Sequence, residues 1–383
     1  MQFLILKETH PGERRIALLP AGVERLTKAG AEVVIESGLG ESIEIQDEAY
    51  TKVGATVTTQ RADALAAADV ALGLRKPSRE TVAQLKRGAI WISHLDPFNE
   101  RPLIDALAAG GIQAISVEMI PRTTIAQKMD ALSSQANLGG YVAVIMAAAQ
   151  APKVLPMMMT PAGTLSPARV FIIGAGVAGL QAIATAKRLG ARVEAFDTRP
   201  VVEEQVASLG AKFVKVDLGE TGQTKDGYAR ELTDEQLAKQ REAMAKACAQ
   251  ADIVITTAQV FGRPAPVIIT DAMIQRMQPG SVIVDMAVET GGNVEGSELD
   301  QEVVRHGVKI LGHGNLPGRV PEHASQMYSS NLTSFIDHFW DAEQKALVLN
   351  ADDEIVAGAR ITFEGQIVNP LLRKRWNLDT EAS

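Results

Sequence analysis

Three glycines in VFIIGAGVAG (residues 170–179), Gly174, Gly176 and Gly179, close an apolar β-branched run and open an alanine-rich one. The chemistry of that spacing is phosphate binding. Gly174 suits a tight turn, Gly176 lets the backbone approach a pyrophosphate, and Gly179 lets the following helix pack close to the strand. That helix, expected over residues 180–189 and ended by Gly190, would aim its first N–H groups and partial positive charge at the anion. A second strand, residues 192–196, closes on Asp197, about twenty positions past the glycines. A carboxylate there accepts hydrogen bonds from the adenosine ribose hydroxyls and repels a 2′-phosphate, so the expected ligand is NAD(H) rather than NADP(H). Arg199 nearby weakens that preference slightly.

About fifty residues upstream lies a second polar run, PRTTIAQKMDALSSQANLGGY (residues 121–141). Arg122, Gln127, Asp130 and Ser133 are hydrogen-bonding types at the start of a helical pattern. Asp and Ser at such a position also satisfy the free N–H groups of a first helical turn, and the residues alone leave both roles open.

The elements that must position these groups alternate. Apolar strands at residues 3–6, 33–35, 70–74, 90–92 and 112–117 are separated by helical stretches such as PAGVERLTKAG and RPLIDALAAGG. Strands at 192–196, 213–216, 253–256, 282–285 and 308–311 repeat the pattern after the fingerprint. Such alternation implies parallel sheets covered by helices on both faces. The expected fold is α/β, two Rossmann-like doubly wound parallel-sheet domains joined by long helices with a cleft between them. The first domain would take residues 1–130 plus 325–383, and the nucleotide-binding domain 131–324. Long helices are expected at ALSSQANLGGYVAVIMAAAQA and ASQMYSSNLTSFIDHFWDAEQ, with a proline-bearing linker, PKVLPMMMTPAGTLSP, after the first. The tail, ALVLN and EIVAGARITFEGQIVN, reads as strands with a hairpin turn at Glu364-Gly365, returning to the first domain. Between Asp217 and Glu235, LGETGQTKDGYARELTD is too long for a usual βα loop and reads as a lid.

With 383 residues, 46% hydrophobic and a net charge of −8, the chain is expected to be a soluble, cytoplasmic, acidic protein of two domains, and nucleic-acid binding is disfavoured. No stretch reaches the roughly 18 uninterrupted apolar residues of a membrane helix. Cys248, the single cysteine, falls in a helical pattern and reads as packing. The six histidines (10, 94, 306, 313, 323 and 338) have no ligand spacing, so no metal is expected.

KETHPGERRIALLP, PRTTIAQKMDALSSQANLGGY, GAGVAGLQAIATAKRLGA, the DGYA loop and MAVETGGN together resemble the family of alanine dehydrogenases and transhydrogenase NAD-binding subunits. The likeness is closer to the transhydrogenase branch, the NAD(H)-binding component within the alpha subunit of the proton-translocating enzyme, and spans essentially the whole chain. It implies that hydride passes directly from NADH here to NADP⁺ on an NADP(H)-binding partner component, with a membrane-spanning component coupling the reaction to proton movement. It also implies a homodimer, peripheral on the cytoplasmic membrane through its partner subunits. Direct transfer needs no general acid or base; the site must hold two nicotinamide rings face to face.

Residue by residue, the resemblance implies that Arg122 bonds the nicotinamide carboxamide or nearby phosphates. Gln127 would contact the nicotinamide ribose and reach toward the partner's nucleotide; Asp130 would order both; Ser133 would bond the carboxamide. Tyr228 would close over the nucleotide on a loop hinged at Gly227 and supported by Gln240. The implied cofactor-binding set is Gly174, Ala175, Gly176, Val177, Ala178, Gly179, Asp197, Thr198, Arg199, Gly227, Gln240 and Gln259.

Two other readings share these signals. An alanine dehydrogenase would use Arg15 for an oxo-acid carboxylate, but the positions of its acid-base lysine and histidine fall on Arg75 and Asp96, with Lys76 and His94 out of register. An NAD(H)-sensing module would use the same fingerprint and lid without transferring hydride.

Overall fold

In the computed structural model, which describes residues 1–216 and 233–378, the chain divides into two compact units. The first is Met1–Gln135 with the chain from Gly318 onward, and the second is Ala136–Pro317. The first crossing lies inside the helix Ala131–Gln150 because Gln135 is still tied to the first unit, accepting from Arg15 Nη1 at 2.9 Å and donating to the Ala324 carbonyl at 3.0 Å.

The first unit is built on β1 (Gln2–Ile5), β2 (Glu32–Glu36), β3 (Thr56–Thr58), β4 (Val70–Leu72), β5 (Ile90–Ser93) and β6 (Gln113–Ser116). All are parallel, in the order 3-2-1-4-5-6. Every residue of β4 and β5 is buried, the pattern of strands covered on both faces. The linker predicted after the first long helix contains an exposed hairpin, β7 (Met158–Thr160) with β8 (Gly163–Leu165).

The second unit repeats the plan with β9 (Arg169–Ile173), β10 (Arg192–Phe196), β11 (Lys212–Phe213), β12 (Ile253–Thr256), β13 (Val282–Asp285), β14 (Gln301–Arg305) and β15 (Val308–Gly312). The sheet runs β11-β10-β9-β12-β13-β15-β14, parallel except for β14. This is the dinucleotide-fold order, with its topological switch between β9 and β12, where such sheets bind ligands. The antiparallel edge strand β14 is mostly exposed and charged, so its sequence carries no apolar run to announce it.

After the helix Pro321–Phe339 the chain forms a small ribbon, β16 (Trp340–Asp341) with β17 (Ala346–Leu347). It then completes the first sheet with β18 (Arg360–Phe363) against β6 and β19 (Gln366–Ile367) at the edge. Glu364 and Gly365 take φ of 48° and 84°, the left-handed pair of a tight hairpin turn. Residues Glu354–Ala359, expected as strand, are helical. Asp353 caps them, accepting from the Ile355 and Val356 N–H groups at 2.8 and 3.3 Å, and the buried Ile355, Val356 and Ala359 lie on one helical face.

Cys248 is fully buried in the helix Asp234–Gln250, and burial pushes its thiol up to about 12, so it stays protonated and acts as packing. Among the described residues no helix is long and apolar enough to cross a membrane.

Candidate functional site

In the second unit β9 runs into the glycine turn, which leads into the helix Val177–Arg188 with Gly176 as N-cap. Gly174 has φ of +96°, and its N–H donates to the Phe196 carbonyl at 2.8 Å, locking the turn to the end of β10. A side-chain carbon on Gly179 would lie 1.8 Å from the Gly174 carbonyl oxygen, so only glycine allows this approach of helix to strand. Among the described residues one on Gly176 would meet nothing within 4 Å, which leaves space beside the helix N-terminus where a pyrophosphate would sit. Val177 is exposed, Ala178 is half-buried and Ala175 is buried.

Asp197 stands at the end of β10 with its carboxylate already engaged. Oδ2 accepts from the Ala175 N–H at 2.8 Å, and Oδ1 from the Arg199 N–H at 2.8 Å. The Arg199 guanidinium grips both oxygens, Nε on Oδ1 at 2.9 Å and Nη2 on Oδ2 at 2.8 Å. These bonds raise the Arg199 pKa. The acid is thus fastened to the turn it serves, and its arginine neighbour shields it. Thr198, between them, is half-buried.

Gln259 is exposed, with its Nε2 donating to the Met286 carbonyl at 3.1 Å. Gln240 is 9% exposed, and its Oε1 has no partner among the described residues. Gly227 and Tyr228 fall outside the described residues.

The first unit carries the other predicted run. A short 3-10 turn, Ile125–Met129, presents Gln127 to solvent, and the helix Ala131–Gln150 follows. Asp130 caps that helix: Oδ1 accepts from the Ser133 N–H at 2.8 Å, and Oδ2 from the Ser133 hydroxyl at 2.6 Å. The exposed Arg122 has its Nε 3.9 Å from Asp130 Oδ2. Asp130 therefore groups Arg122 and Ser133, while its contact with Gln127 is through the backbone, Asp130 N–H to Gln127 carbonyl at 3.4 Å. Asn331 braces the turn from the other long helix, donating to the Lys128 carbonyl at 2.9 Å.

Residues 4–139 match the family described as alanine dehydrogenase/PNT, N-terminal domain, and residues 143–370 match alanine dehydrogenase/PNT, C-terminal domain. The chain belongs to the alanine dehydrogenase/PNT family. It is 48% identical over 379 residues to the first segment of the NAD(P) transhydrogenase alpha subunit of Rhodospirillum rubrum, covering 97% of this chain and 99% of that one. A crystal structure of a transhydrogenase from Sinorhizobium meliloti, 42% identical, superposes with a TM-score of 0.84 over 97% of this chain and 100% of the other. An L-alanine dehydrogenase structure shares the fold at a TM-score of 0.82 and 24% identity, over 98% and 99% of the two chains.

Within this family the first unit also holds the residues by which the alanine dehydrogenase alternative is judged. The Arg15 guanidinium is spent on protein partners: Nε and Nη2 reach the two oxygens of Glu13 at 2.9 and 2.7 Å, and Nη1 reaches Gln135. Arg75 Nε also donates to Glu13, at 2.7 Å. His94 is directed at Glu118, 3.4 Å away, and stacks on Tyr328. Lys76 pairs with Glu100, and Asp96 holds a left-handed φ of 49°. Among the described residues no group of His, Cys, Asp and Glu is arranged to hold a metal ion.

Glu13 is the keystone of that network. Burial alone would raise its carboxyl, but the hydrogen bonds and charge of Arg15, with the charge of Arg75, hold it at about 2 instead of 4.5. A depressed carboxylate stabilises the fold fully above its unfolded value, and that contribution is lost as pH falls from about 4.5 toward about 2. Glu13→Gln should cost on the order of 3 to 5 kcal/mol at neutral pH, because it leaves Arg15 buried without its counter-charge. Urea midpoints should therefore fall more steeply between pH 5 and 3 in the native chain than in the variant; equal slopes would contradict this role.

A further set in the second unit is Thr257, Asp285 and Asn293, of which the sequence alone gives Asn293 little weight and does not single out the other two. Asp285 is fully buried and accepts from the Ala287, Asn293 and Val294 N–H groups at 3.0 to 3.2 Å. Asn293, also fully buried, clamps Ala258 from both sides, taking its N–H at 3.1 Å and giving Nδ2 to its carbonyl at 2.8 Å. The same Nδ2 reaches the Pro266 carbonyl at 2.8 Å, closing the loop that carries Gln259. The signal was present in MAVETGGN, whose paired glycines precede Asn293.

Proposed function

We propose that the chain is the NAD(H)-binding component of a proton-translocating NAD(P) transhydrogenase. It would hold NADH while hydride passes directly to NADP⁺ on an NADP(H)-binding partner component, with a membrane-spanning component coupling the transfer to proton movement. The observation that carries the reading is the joint presence of a fingerprint fastened to Asp197 and a hydrogen-bonding run, Arg122 to Ser133, built on a helix cap. NAD(H) supplies the transferable hydride, and the chain's own groups have only to bind and orient it. Gly174 through Gly179 would face the pyrophosphate; Asp197, with Thr198 and Arg199 beside it, the adenosine ribose; Gln240 and Gln259 the remaining edge. Arg122, Gln127 and Ser133 would address the nicotinamide end, with Asp130 ordering them, and Gly227 and Tyr228 would serve the closing loop.

The relatives favour this reading over the alanine dehydrogenase one. The transhydrogenase subunit is 48% identical over nearly the whole chain, against 26% for an alanine dehydrogenase of Mycolicibacterium smegmatis. The engagement of Arg15 by Glu13 and Gln135 points the same way, as do Arg75 and Asp96 where the resemblance would set the acid-base lysine and histidine. A homodimer is part of the proposal: the hairpin β7–β8 and its approach leave Met157, Met159 and Leu165 exposed, apolar surface that a second copy would cover. The assembly would be peripheral on the cytoplasmic face of the membrane through its partners.

Binding of NADH in preference to NADPH tests the nucleotide half of the proposal. Asp197→Asn should weaken NADH binding by on the order of 1.5 to 3 kcal/mol, about one charged hydrogen bond, and narrow the gap to NADPH. Equal affinity of the native chain for the two in equilibrium dialysis at low salt would sink it.

A further inference from the structure

Thr257 follows the last residue of β12 and lies beneath the glycine turn. Its N–H donates to the Ile173 carbonyl at 2.9 Å, extending the β9–β12 ladder by one residue. Its hydroxyl sits 3.1 Å from the Gly174 carbonyl oxygen and 3.3 Å from that of Ile173. A hydroxyl has one proton to give, and the nearer carbonyl takes the better bond. The fit is close, since a side-chain carbon on Gly174 would fall 2.5 Å from this oxygen and one on Gly179 3.3 Å from it.

The Gly174–Ala175 peptide is trans, so its C=O and N–H point in opposite directions. The C=O is turned down to Thr257. The N–H is therefore turned up, and it donates to Asp197 Oδ2 at 2.8 Å. One peptide plane thus joins the Thr257 hydroxyl to the Asp197 carboxylate. The foundation is rigid: Ala258, the next residue, is clamped by Asn293, whose own N–H is held by the buried Asp285.

We propose that Thr257 is a positioning residue for cofactor selection: its hydroxyl sets the tilt of the Gly174–Ala175 peptide and, through the Ala175 N–H, the placement of the carboxylate that tells NADH from NADPH. The inference deepens the NAD(H) reading and rests on it. Without the hydroxyl, the peptide keeps its anchor on Asp197 and loses the one below. Asp197 is then placed by Arg199 alone, whose guanidinium keeps hold of both its oxygens.

Valine has the shape of threonine without the hydroxyl, and serine keeps the hydroxyl without the methyl group, so the pair separates bonding from packing. Thr257→Val should weaken NADH binding about tenfold while changing NADPH binding little, and Thr257→Ser should restore the native ratio of the two affinities to within about threefold. Without any nucleotide, amide hydrogen exchange at Ala175, read by ¹⁵N NMR, should speed up in Thr257→Val while exchange in β9 stays at the native rate. An unchanged affinity ratio in Thr257→Val overturns the proposal, as does a serine variant as impaired as the valine one, or native exchange at Ala175. A native chain that binds both nucleotides equally sinks the NAD(H) reading instead, and the exchange experiment, which needs no nucleotide, still decides the link from Thr257 to Asp197.

Discussion

Gly179→Ala should abolish useful NADH binding. The added carbon would lie 1.8 Å from the Gly174 carbonyl oxygen and 2.8 Å from its carbonyl carbon, and backbone cannot swing aside as a side-chain tip can. The helix Val177–Arg188 must retreat, taking its first N–H groups away from the pyrophosphate position. Overpacking of this kind costs about 1 to 3 kcal/mol in the fold, and the lost anion site should cost on the order of a hundredfold in affinity. Titration calorimetry reads the affinity, and circular dichroism shows whether the variant is folded. Gly176→Ala makes the useful contrast: among the described residues its carbon meets no atom within 4 Å, so stability should hold while the nucleotide loses space. A folded Gly179→Ala chain binding NADH within a few-fold of native would refute this account of the turn.

Gln127→Asn should do the opposite, sparing affinity and slowing chemistry. Gln127 is exposed on the turn Ile125–Met129, whose neighbours are fixed by the Asp130 cap and by Asn331. Removing one methylene withdraws the amide by about an ångström, and transfer between two rings is steeply sensitive to such displacement. Single-turnover hydride transfer to a partner-bound NADP⁺ analogue should slow tenfold or more, about 1.4 kcal/mol in the barrier, with NADH affinity nearly unchanged. An unaffected transfer rate would remove Gln127 from the proposed chemistry.

Much of this architecture is legible in the residues because the central strands are buried on both faces. Val70–Leu72 and Ile253–Thr256 are covered on both sides, and so they read as short unbroken apolar runs. Edge elements escape that logic. β14 is charged and mostly exposed, β3 is three residues long, and β7–β8 stands in solvent, so its sequence reads as linker. Residues Glu354–Ala359 misled because EIVAGA has the β-branched content of a strand, while the capping Asp353 decides for helix.

The fingerprint was equally legible, since its glycines answer local needs: a positive φ at Gly174, a close approach at Gly179. Long-range partnerships were not. That Asn293 clamps a residue 35 positions earlier and that Thr257 bonds to carbonyls 83 and 84 positions back depend on which strands the sheet brings side by side. In the first unit the hydrogen-bonding run was found, but its local bonding is that of a helix cap, with Asp130 and Ser133 satisfying each other and Gln127 left facing outward.

The most direct measurement combines the chain with an NADP(H)-binding transhydrogenase component and follows hydride transfer from NADH to an NADP⁺ analogue, beside a control in which the chain alone is given NAD⁺ and L-alanine. The account predicts rapid transfer that requires both components, and no alanine-dependent NADH formation. Robust alanine oxidation by the chain alone, with no transfer to the partner's nucleotide, would contradict it.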